Sequence, residues 1–121
     1  MDPEVMARLR HVVAAAEDKK AYHLLVLDIS ARTSIADAFV ICSAGSSRQS
    51  QAIADGVQRD LRDQGARPLA VEGHGQGNWI LMDYGDFVLH VFLEETRAFY
   101  GLERLWGDAP DITAELRAHP S

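Results

Sequence analysis

Two aspartates and several aromatic side chains are concentrated in the segment Gly77–Phe92, and these groups have the clearest capacity for chemistry. Asp83 and Asp86 flank the pair Tyr84-Gly85. Carboxylates that converge can hold a metal ion, and carboxylates on a surface attract a basic protein. A plain turn solvated by two acids is the structural alternative.

The same segment predicts a β-hairpin with two distinct faces. Gly85 suits the positive φ of a tight turn, and Tyr84 and Gly85 as the loop residues would place Asp83 opposite Asp86. Like charges in that position are destabilising, so a cation from the chain or from a partner would relieve them. One face is then wholly apolar, with Ile80, Met82, Phe87, Leu89 and Val91. The other face is mixed, with Trp79, Leu81, Val88, His90 and the two aspartates.

An enzyme of the nucleotidyltransferase type is the main catalytic alternative. Such enzymes place Gly-Ser at a helix start, as in Gly45-Ser46, and an Asp-x-Asp pair on the next strand to bind metal ions. The predicted next strand, residues 67–71, has no such pair. Ser46 and Gln49 have the spacing of a capping box, which is a structural role. His74 has no nearby ligand partner and Cys42 lies in an apolar run, so we predict no catalytic residue, metal site or cofactor.

The elements that position these groups follow from hydrophobic periodicity. Two apolar strands and a short strand at Pro68 accompany the hairpin, and a last helix is interrupted at Gly101. Its apolar residues Phe99, Leu102, Leu105 and Trp106 are expected in the core. The order of these helices and strands predicts an α/β or α+β fold, with a mixed five-stranded sheet and flanking helices. We expect one domain over residues 1–112 and a short C-terminal tail at 113–121. The predicted ranges are helix 2–19, strands 23–29 and 38–43, a helix from Ser46 to Gly65, strand 67–71, the hairpin and helix 94–106.

Charge and composition limit the possible partners. The chain of 121 residues has a net charge of −6, which disfavours broad binding to nucleic acid backbones and suits a basic protein partner. No apolar run approaches the length of a membrane span. The single cysteine and the absence of a signal-peptide pattern predict a cytoplasmic protein.

The order and spacing of short motifs along most of the chain, from about Leu9 to Asp111, are similar to those of the ribosomal silencing factor family, also called Iojap-like. The motifs are Asp28-Ile-Ser30, Thr33-Ser34, Ala36-Asp-Ala-Phe-Val-Ile41, Ser47-Arg-Gln49, Ala52-Ile-Ala-Asp55, Glu72-Gly73, Trp79-Ile-Leu-Met-Asp-Tyr-Gly-Asp86, His90-Val-Phe92 and Arg97-Ala-Phe-Tyr-Gly-Leu-Glu-Arg-Leu-Trp106.

The resemblance implies a nucleotidyltransferase-like fold without known catalysis. It also implies binding to the large ribosomal subunit through protein uL14, at the surface where the small subunit docks. Blocked subunit association would then repress translation when nutrients are scarce. Some relatives act instead as large-subunit assembly factors, including in organelles, and free members are often homodimers.

The mixed hairpin face and its turn are the predicted partner-binding residues. Aromatic side chains would bury apolar area against the partner, while the carboxylates would pair with its basic side chains. In the structural alternative Trp79 covers the sheet, His90 is a satisfied, partly buried histidine and Trp106 closes the core. The first patch is Trp79, Leu81, Asp83, Tyr84, Asp86 and His90, and the second is Tyr100, Glu103 and Trp106.

Overall fold

The computed structural model describes residues 1–117, and within them it contains two long helices, a sheet and short helical segments. The helices are α1 (Pro3–Asp18), α2 (Ser47–Asp63), α3 (Glu94–Tyr100) and α4 (Thr113–Arg117), with a 3₁₀ helix at Leu102–Trp106. The strands are β1 (Tyr22–Asp28), β2 (Ala38–Ala44), β3 (Ala70–Glu72), β4 (Trp79–Asp83) and β5 (Phe87–Leu93).

The five strands form one mixed sheet in the order β1-β2-β5-β4-β3. β2 and β5 pair in parallel, whereas the other neighbours are antiparallel. The continuous apolar composition of β2 and β5 suits their interior positions, because nearly all of their residues are buried on both faces. β3 is an edge strand, and it begins at Ala70, so Pro68 precedes it and the predicted range 67–71 is displaced. The predicted fold class is therefore confirmed.

Helices α1 and α2 cover one face of the sheet and form the main core with it. One face of α1, with Leu9 and Val12, is buried there, together with α2 residues such as Ile53 and Leu61. Both helix starts are capped: Asp2 accepts from the Glu4 N–H at 2.8 Å, and Ser46 accepts from the Gln49 N–H at 3.1 Å, as its spacing predicted. The sheet contributes Ile80, Met82, Phe87, Leu89 and Val91, which is the predicted apolar hairpin face.

The opposite face of the sheet holds a second, smaller core. Among the described residues its cover comes from the β1–β2 connection, the 3₁₀ helix and the segment around Ala109. Leu27, Ile41 and Phe92 lie at its centre. Half-buried apolar side chains surround that centre, so this face is incompletely covered: Leu25, Phe39, Trp79, Leu81, Leu102 and Trp106.

The predicted turn of the hairpin is displaced by one residue, so the predicted pairing of the two strands is wrong by two residues. Tyr84 N–H donates to the Phe87 carbonyl at 2.9 Å, which leaves Gly85 and Asp86 as the turn residues. Asp83 lies opposite Val88, so the predicted pair of facing aspartates does not exist. Gly85 has φ +86° at the first of the two central positions, the preference of a type II′ turn. The residues of β4 and β5 nevertheless keep their predicted faces, because the change moves the pairing by an even number of residues, whereas Asp86 leaves the mixed face and becomes a turn residue.

The last predicted helix is divided at Gly101, which has φ +57° and ends α3. The expectation that Phe99 and Leu105 lie in the core is wrong, since their relative exposures are 81% and 70%. The chain changes direction at the left-handed glycine and continues as a 3₁₀ helix. Residues before and after Gly101 therefore no longer share one helical face.

Helix α4 packs on the helix-covered side of the sheet and contacts α1. Leu116 is buried in the main core, and the Thr113 hydroxyl accepts from the Val26 N–H at 2.8 Å. This backbone contact attaches α4 to β1, the edge strand opposite β3. Residues 118–121, the remainder of the predicted tail, lie outside the described residues.

Candidate functional site

The incompletely covered face of the sheet presents a continuous set of aromatic side chains. We call Phe39, Trp79, Leu81, Tyr100 and Trp106 the aromatic surface. Trp79 and Tyr100 have ring centroids 4.9 Å apart, and Phe39 meets Trp106 edge-to-face at 5.3 Å. Tyr100 retains 54% of its exposure, while the other four are half-buried. Large apolar rings that remain partly solvated are typical of a docking surface.

Trp79 is held in place by groups beneath it. Its ring stacks on Phe92 at 4.8 Å, and its Nε1 donates to His90 Nδ1 at 3.1 Å. A histidine that accepts at Nδ1 carries its proton on Nε2 when neutral. Burial lowers the His90 pKa to about 4, so the ring is neutral at physiological pH. His90 is only 4% exposed and therefore supports the surface from below.

A carboxylate lies at the turn end of this surface. Trp79, Leu81 and Asp83 alternate along β4 and point to the same face. Asp83 Oδ1 accepts from the Gly85 N–H at 2.8 Å, which fixes the side chain beside the turn. Within residues 1–117 this carboxylate forms no ion pair, so its charge is available to a basic group of a partner.

Two residues of the predicted first patch lie elsewhere. The Tyr84 ring stacks on Phe87 at 4.9 Å and packs against the main core, on the helix-covered side. Burial raises the pKa of the Tyr84 hydroxyl to about 12. Asp86 forms an ion pair with Arg8 of α1 at 3.3 Å, so its carboxylate is directed to the helix-covered side and not to the mixed face. Only Trp79, Leu81, Asp83 and His90 are therefore brought together.

The second predicted patch largely joins the first. Tyr100 touches Trp79, and Trp106 touches Phe39, so both belong to the aromatic surface. The Arg32 guanidinium lies 5.7 Å from the centre of the Trp106 ring, within range of a cation–π interaction. Glu103 behaves differently, because it forms an internal ion pair and is not directed to a partner.

The partner of Glu103 is Arg97, a residue that the sequence analysis missed. Arg97 is 8% exposed, and its Nε lies 3.2 Å from Glu103 Oε1. Its Nη1 donates to the His23 carbonyl at 2.6 Å and to the Ser43 hydroxyl at 2.9 Å. His23 has φ +49°, and the β1–β2 pairing is irregular there, between residues 22 and 25. Arg97 thus ties α3 and the 3₁₀ helix to the ends of β1 and β2, and so positions Tyr100 and Trp106.

A groove of about 440 Å³ extends the aromatic surface between the loop before β4 and helix α3. Trp79, Phe99 and Tyr100 line it together with Glu95. Gly73 has φ +80° in the loop, and a Cβ there would lie 2.1 Å from the Trp79 carbonyl oxygen. The close approach of this loop explains the need for glycine. Phe99 belongs to the site because it lines this groove, although the helical spacing of the apolar residues predicted a core position for it.

The residues considered for nucleotidyl transfer have other roles. Ser46 caps α2. Asp83 accepts from the Gly85 N–H and Asp86 pairs with Arg8, so the two carboxylates do not converge. No group of three or more His, Cys, Asp or Glu residues within positions 1–117 is placed to hold a metal ion. Cys42 is buried, and burial raises its thiol pKa to about 12. In the same part of the chain, no helix is both long and apolar enough to cross a membrane.

Comparisons with known proteins place these features in one family. The family model described as "Ribosomal silencing factor during starvation" matches residues 2–121. The ribosomal silencing factor of Halalkalibacterium halodurans is 43% identical over 88% of this chain and 92% of its own, and that of Bacillus subtilis is 41% identical over 84% and 86%. A crystal structure from Chromobacterium violaceum superposes with a TM-score of 0.81, at 36% identity and 88% coverage of both chains. A mouse protein named for mitochondrial assembly of the ribosomal large subunit is 29% identical over 78% of this chain and 43% of its own.

Proposed function

The chain belongs to the ribosomal silencing factor family, and we propose that it binds ribosomal protein uL14 on the large subunit in the cytoplasm. The bound protein would occupy the surface where the small subunit docks. Subunit association would then be blocked, and translation would fall under nutrient limitation. The aromatic surface is the proposed interface.

The incomplete cover of the second sheet face is the single observation that supports this proposal most. A five-stranded sheet normally buries both faces when its interior strands are continuously apolar. Here one face is covered by two long helices, whereas the other leaves Trp79, Tyr100 and Trp106 accessible. Tryptophan and tyrosine contribute disproportionately to protein interfaces, because they bury large rigid areas with few rotatable bonds.

Charge supports a basic ribosomal protein as the partner. The chain carries a net charge of −6, which steers association with a cationic surface. Asp83 stands at one end of the aromatic surface and Glu95 lines the adjoining groove. Both carboxylates would meet basic side chains around an apolar centre, the usual arrangement of a polar rim and an apolar core.

Two substitutions test the interface while sparing the fold as far as the structure allows. Trp79→Ala removes the central ring, and Asp83→Asn removes the charge but keeps the oxygen that accepts from Gly85. We expect Trp79→Ala to weaken binding to purified uL14 by about 30-fold or more, as for a central interface tryptophan. Asp83→Asn should weaken it less and mainly slow association.

Asp18→Asn is the matched control, because Asp18 is an exposed acid at the end of α1, on the other side of the sheet. Its binding to uL14 should equal that of the unsubstituted protein. Circular dichroism verifies that each variant is folded. Wild-type binding by a folded Trp79→Ala variant would move the interface away from the aromatic surface.

A role in large-subunit assembly is the second candidate, because the similar mouse protein is named for that process. The same surface could serve either role. Adding the protein to mature, separated subunits distinguishes them: a silencing factor keeps those subunits apart, whereas a factor that acts only during assembly leaves their association unchanged.

We also propose that the free protein is a homodimer, as the family resemblance implies. Exposed Phe99, Tyr100 and Leu105 leave apolar area that a second copy could cover. Sedimentation equilibrium without ribosomes measures this directly. A monomer at micromolar concentration would contradict the dimer without affecting the proposed uL14 interface.

A further inference from the structure

Three arginines line one concavity on the helix-covered side of the protein. Arg59 and Arg62 lie near the end of α2, and Arg67 follows in the connection to β3. The concavity has a volume of about 390 Å³, and Gln58 contributes a further polar side chain. We call Arg59, Arg62 and Arg67 the arginine patch.

The arginines of the patch have no carboxylate of the described residues within ion-pair distance. Within residues 1–117 none of its three arginines forms an ion pair, whereas Arg97 and Arg117 do. Asp55 is the one carboxylate among the lining residues, and His74 Nε2 lies 2.8 Å from its Oδ1. Arg59 also borders Asp60 and Asp63 in a neighbouring concavity, but within the patch three arginines face one lining carboxylate, so a bound anion would reduce the repulsion among them.

The chemistry of the patch favours phosphate groups. Guanidinium groups present planar forks of donors that bind phosphate oxygens in pairs. Arg59 and Arg62 are three positions apart on one helix face, and Arg67 approaches from a separate segment. Three cations spread over one concavity suit a chain of phosphates better than a single small anion.

The position of the patch relates it to the aromatic surface. The Leu69 N–H, two residues after Arg67, donates to the Asp83 carbonyl at 2.7 Å. A Cβ on Gly85 would lie 3.3 Å from the Leu69 side chain, so this connection runs beside the hairpin turn. The patch therefore borders the same end of the sheet as Asp83, around the edge formed by β3.

We propose that the arginine patch binds the phosphodiester backbone of ribosomal RNA next to the protein docking site. The inference rests on the proposed function, because that function brings the chain to a large subunit composed mostly of RNA. The net charge of −6 disfavours broad nucleic acid binding but permits a short contact of this kind. The contact reads no base sequence, since phosphate contacts position a protein without specifying sequence.

The test compares intact large subunits with isolated uL14 as binding targets. The triple variant Arg59→Gln/Arg62→Gln/Arg67→Gln should bind large subunits about tenfold or more weakly at low salt. The slope of log affinity against log salt concentration should fall by about 2 to 3, because each lost phosphate contact removes roughly one unit. Binding to isolated uL14 should not change.

Arg48→Gln is the control, because Arg48 is an exposed arginine at the opposite end of α2 and forms no ion pair within residues 1–117. It should leave both affinities and the salt slope unchanged, whereas Arg62→Gln alone should lower the slope by about 1.

The outcomes separate the patch from the proposed function. A triple variant with wild-type affinity and slope on large subunits would overturn the RNA contact. Equal losses on large subunits and on isolated uL14 would also overturn it, because the arginines would then contact protein. Failure of the unsubstituted protein to bind uL14 would count against the proposed function. Deproteinised large-subunit RNA then serves as the direct probe, and equal binding by the unsubstituted and triple-variant proteins would refute the patch.

Discussion

Replacing Arg97 with methionine is expected to destabilise the protein strongly, although the substitution preserves most of the side-chain volume. The change removes the hydrogen bonds to the His23 carbonyl and the Ser43 hydroxyl and leaves Glu103 without its cation. Glu103 Oε2 is already buried without a hydrogen-bond partner in the described part of the chain. The cost therefore includes an uncompensated carboxylate as well as lost hydrogen bonds.

Removing one partner of a buried ion pair costs about 3–5 kcal/mol. The Glu103 side chain retains 31% exposure, which places the expected loss for Arg97→Met at the lower end, about 3 kcal/mol. Unfolding entropy of about 2.1 cal/mol/K per residue gives about 0.25 kcal/mol/K for 121 residues. The melting temperature should consequently fall by about 12 °C.

Urea unfolding followed by circular dichroism measures the free energy of unfolding. Arg104→Met is the matched control, because Arg104 is exposed and makes one long hydrogen bond, at 3.3 Å, to the Ala98 carbonyl. It should cost about 0.5 kcal/mol or less. The double variant Arg97→Met/Glu103→Leu should recover part of the lost stability, because no charge then stays unpaired. A loss below about 1 kcal/mol for Arg97→Met would refute the assigned role.

Three further predictions concern groups near the two cores. Burial lowers the His90 pKa to about 4, so between pH 6.5 and 4 the unfolded state binds a proton that the folded state excludes. The free energy of unfolding should therefore fall by about 3 kcal/mol as the pH drops from 6.5 to 4. Urea unfolding at several pH values should show this loss, and His90→Gln should flatten that part of the profile. Cys42, with a pKa raised to about 12, should react with a thiol reagent only at the rate of unfolding, and fast labelling of the native protein would contradict its burial. Gly73→Ala should destabilise the protein and weaken uL14 binding, because the new Cβ displaces Trp79. Gly65→Ala is the control: Gly65 also has positive φ but faces open space, so the substitution should cost only about 1–2 kcal/mol of stability and leave the affinity unchanged.

The sequence predicted the faces of the hairpin better than its turn. Alternation along β4 and β5 assigns each side chain to a face, and this assignment survives any even shift in register. Gly85 can adopt positive φ at either central position of a turn, so the glycine alone could not place the turn. The misplaced turn led to the prediction of two facing aspartates, which do not exist, and left the ion pair between Asp86 and Arg8 unpredicted.

The candidate site was predictable only in part for a related reason. Trp79 and Leu81 belong to one strand, and their shared face follows from local pattern. Arg97 could not be found in this way, because its partners come from β1, β2 and the 3₁₀ helix. Phe99 was assigned to the core because helical periodicity was continued through Gly101, where the left-handed backbone ends the helix.

Light scattering during association of purified small and large subunits measures whether the bound protein keeps the two subunits apart. We expect saturating protein to prevent the formation of joined ribosomes and a folded Trp79→Ala variant at the same concentration to allow it. Normal joining in the presence of bound, unsubstituted protein would contradict the account, as would full inhibition by Trp79→Ala.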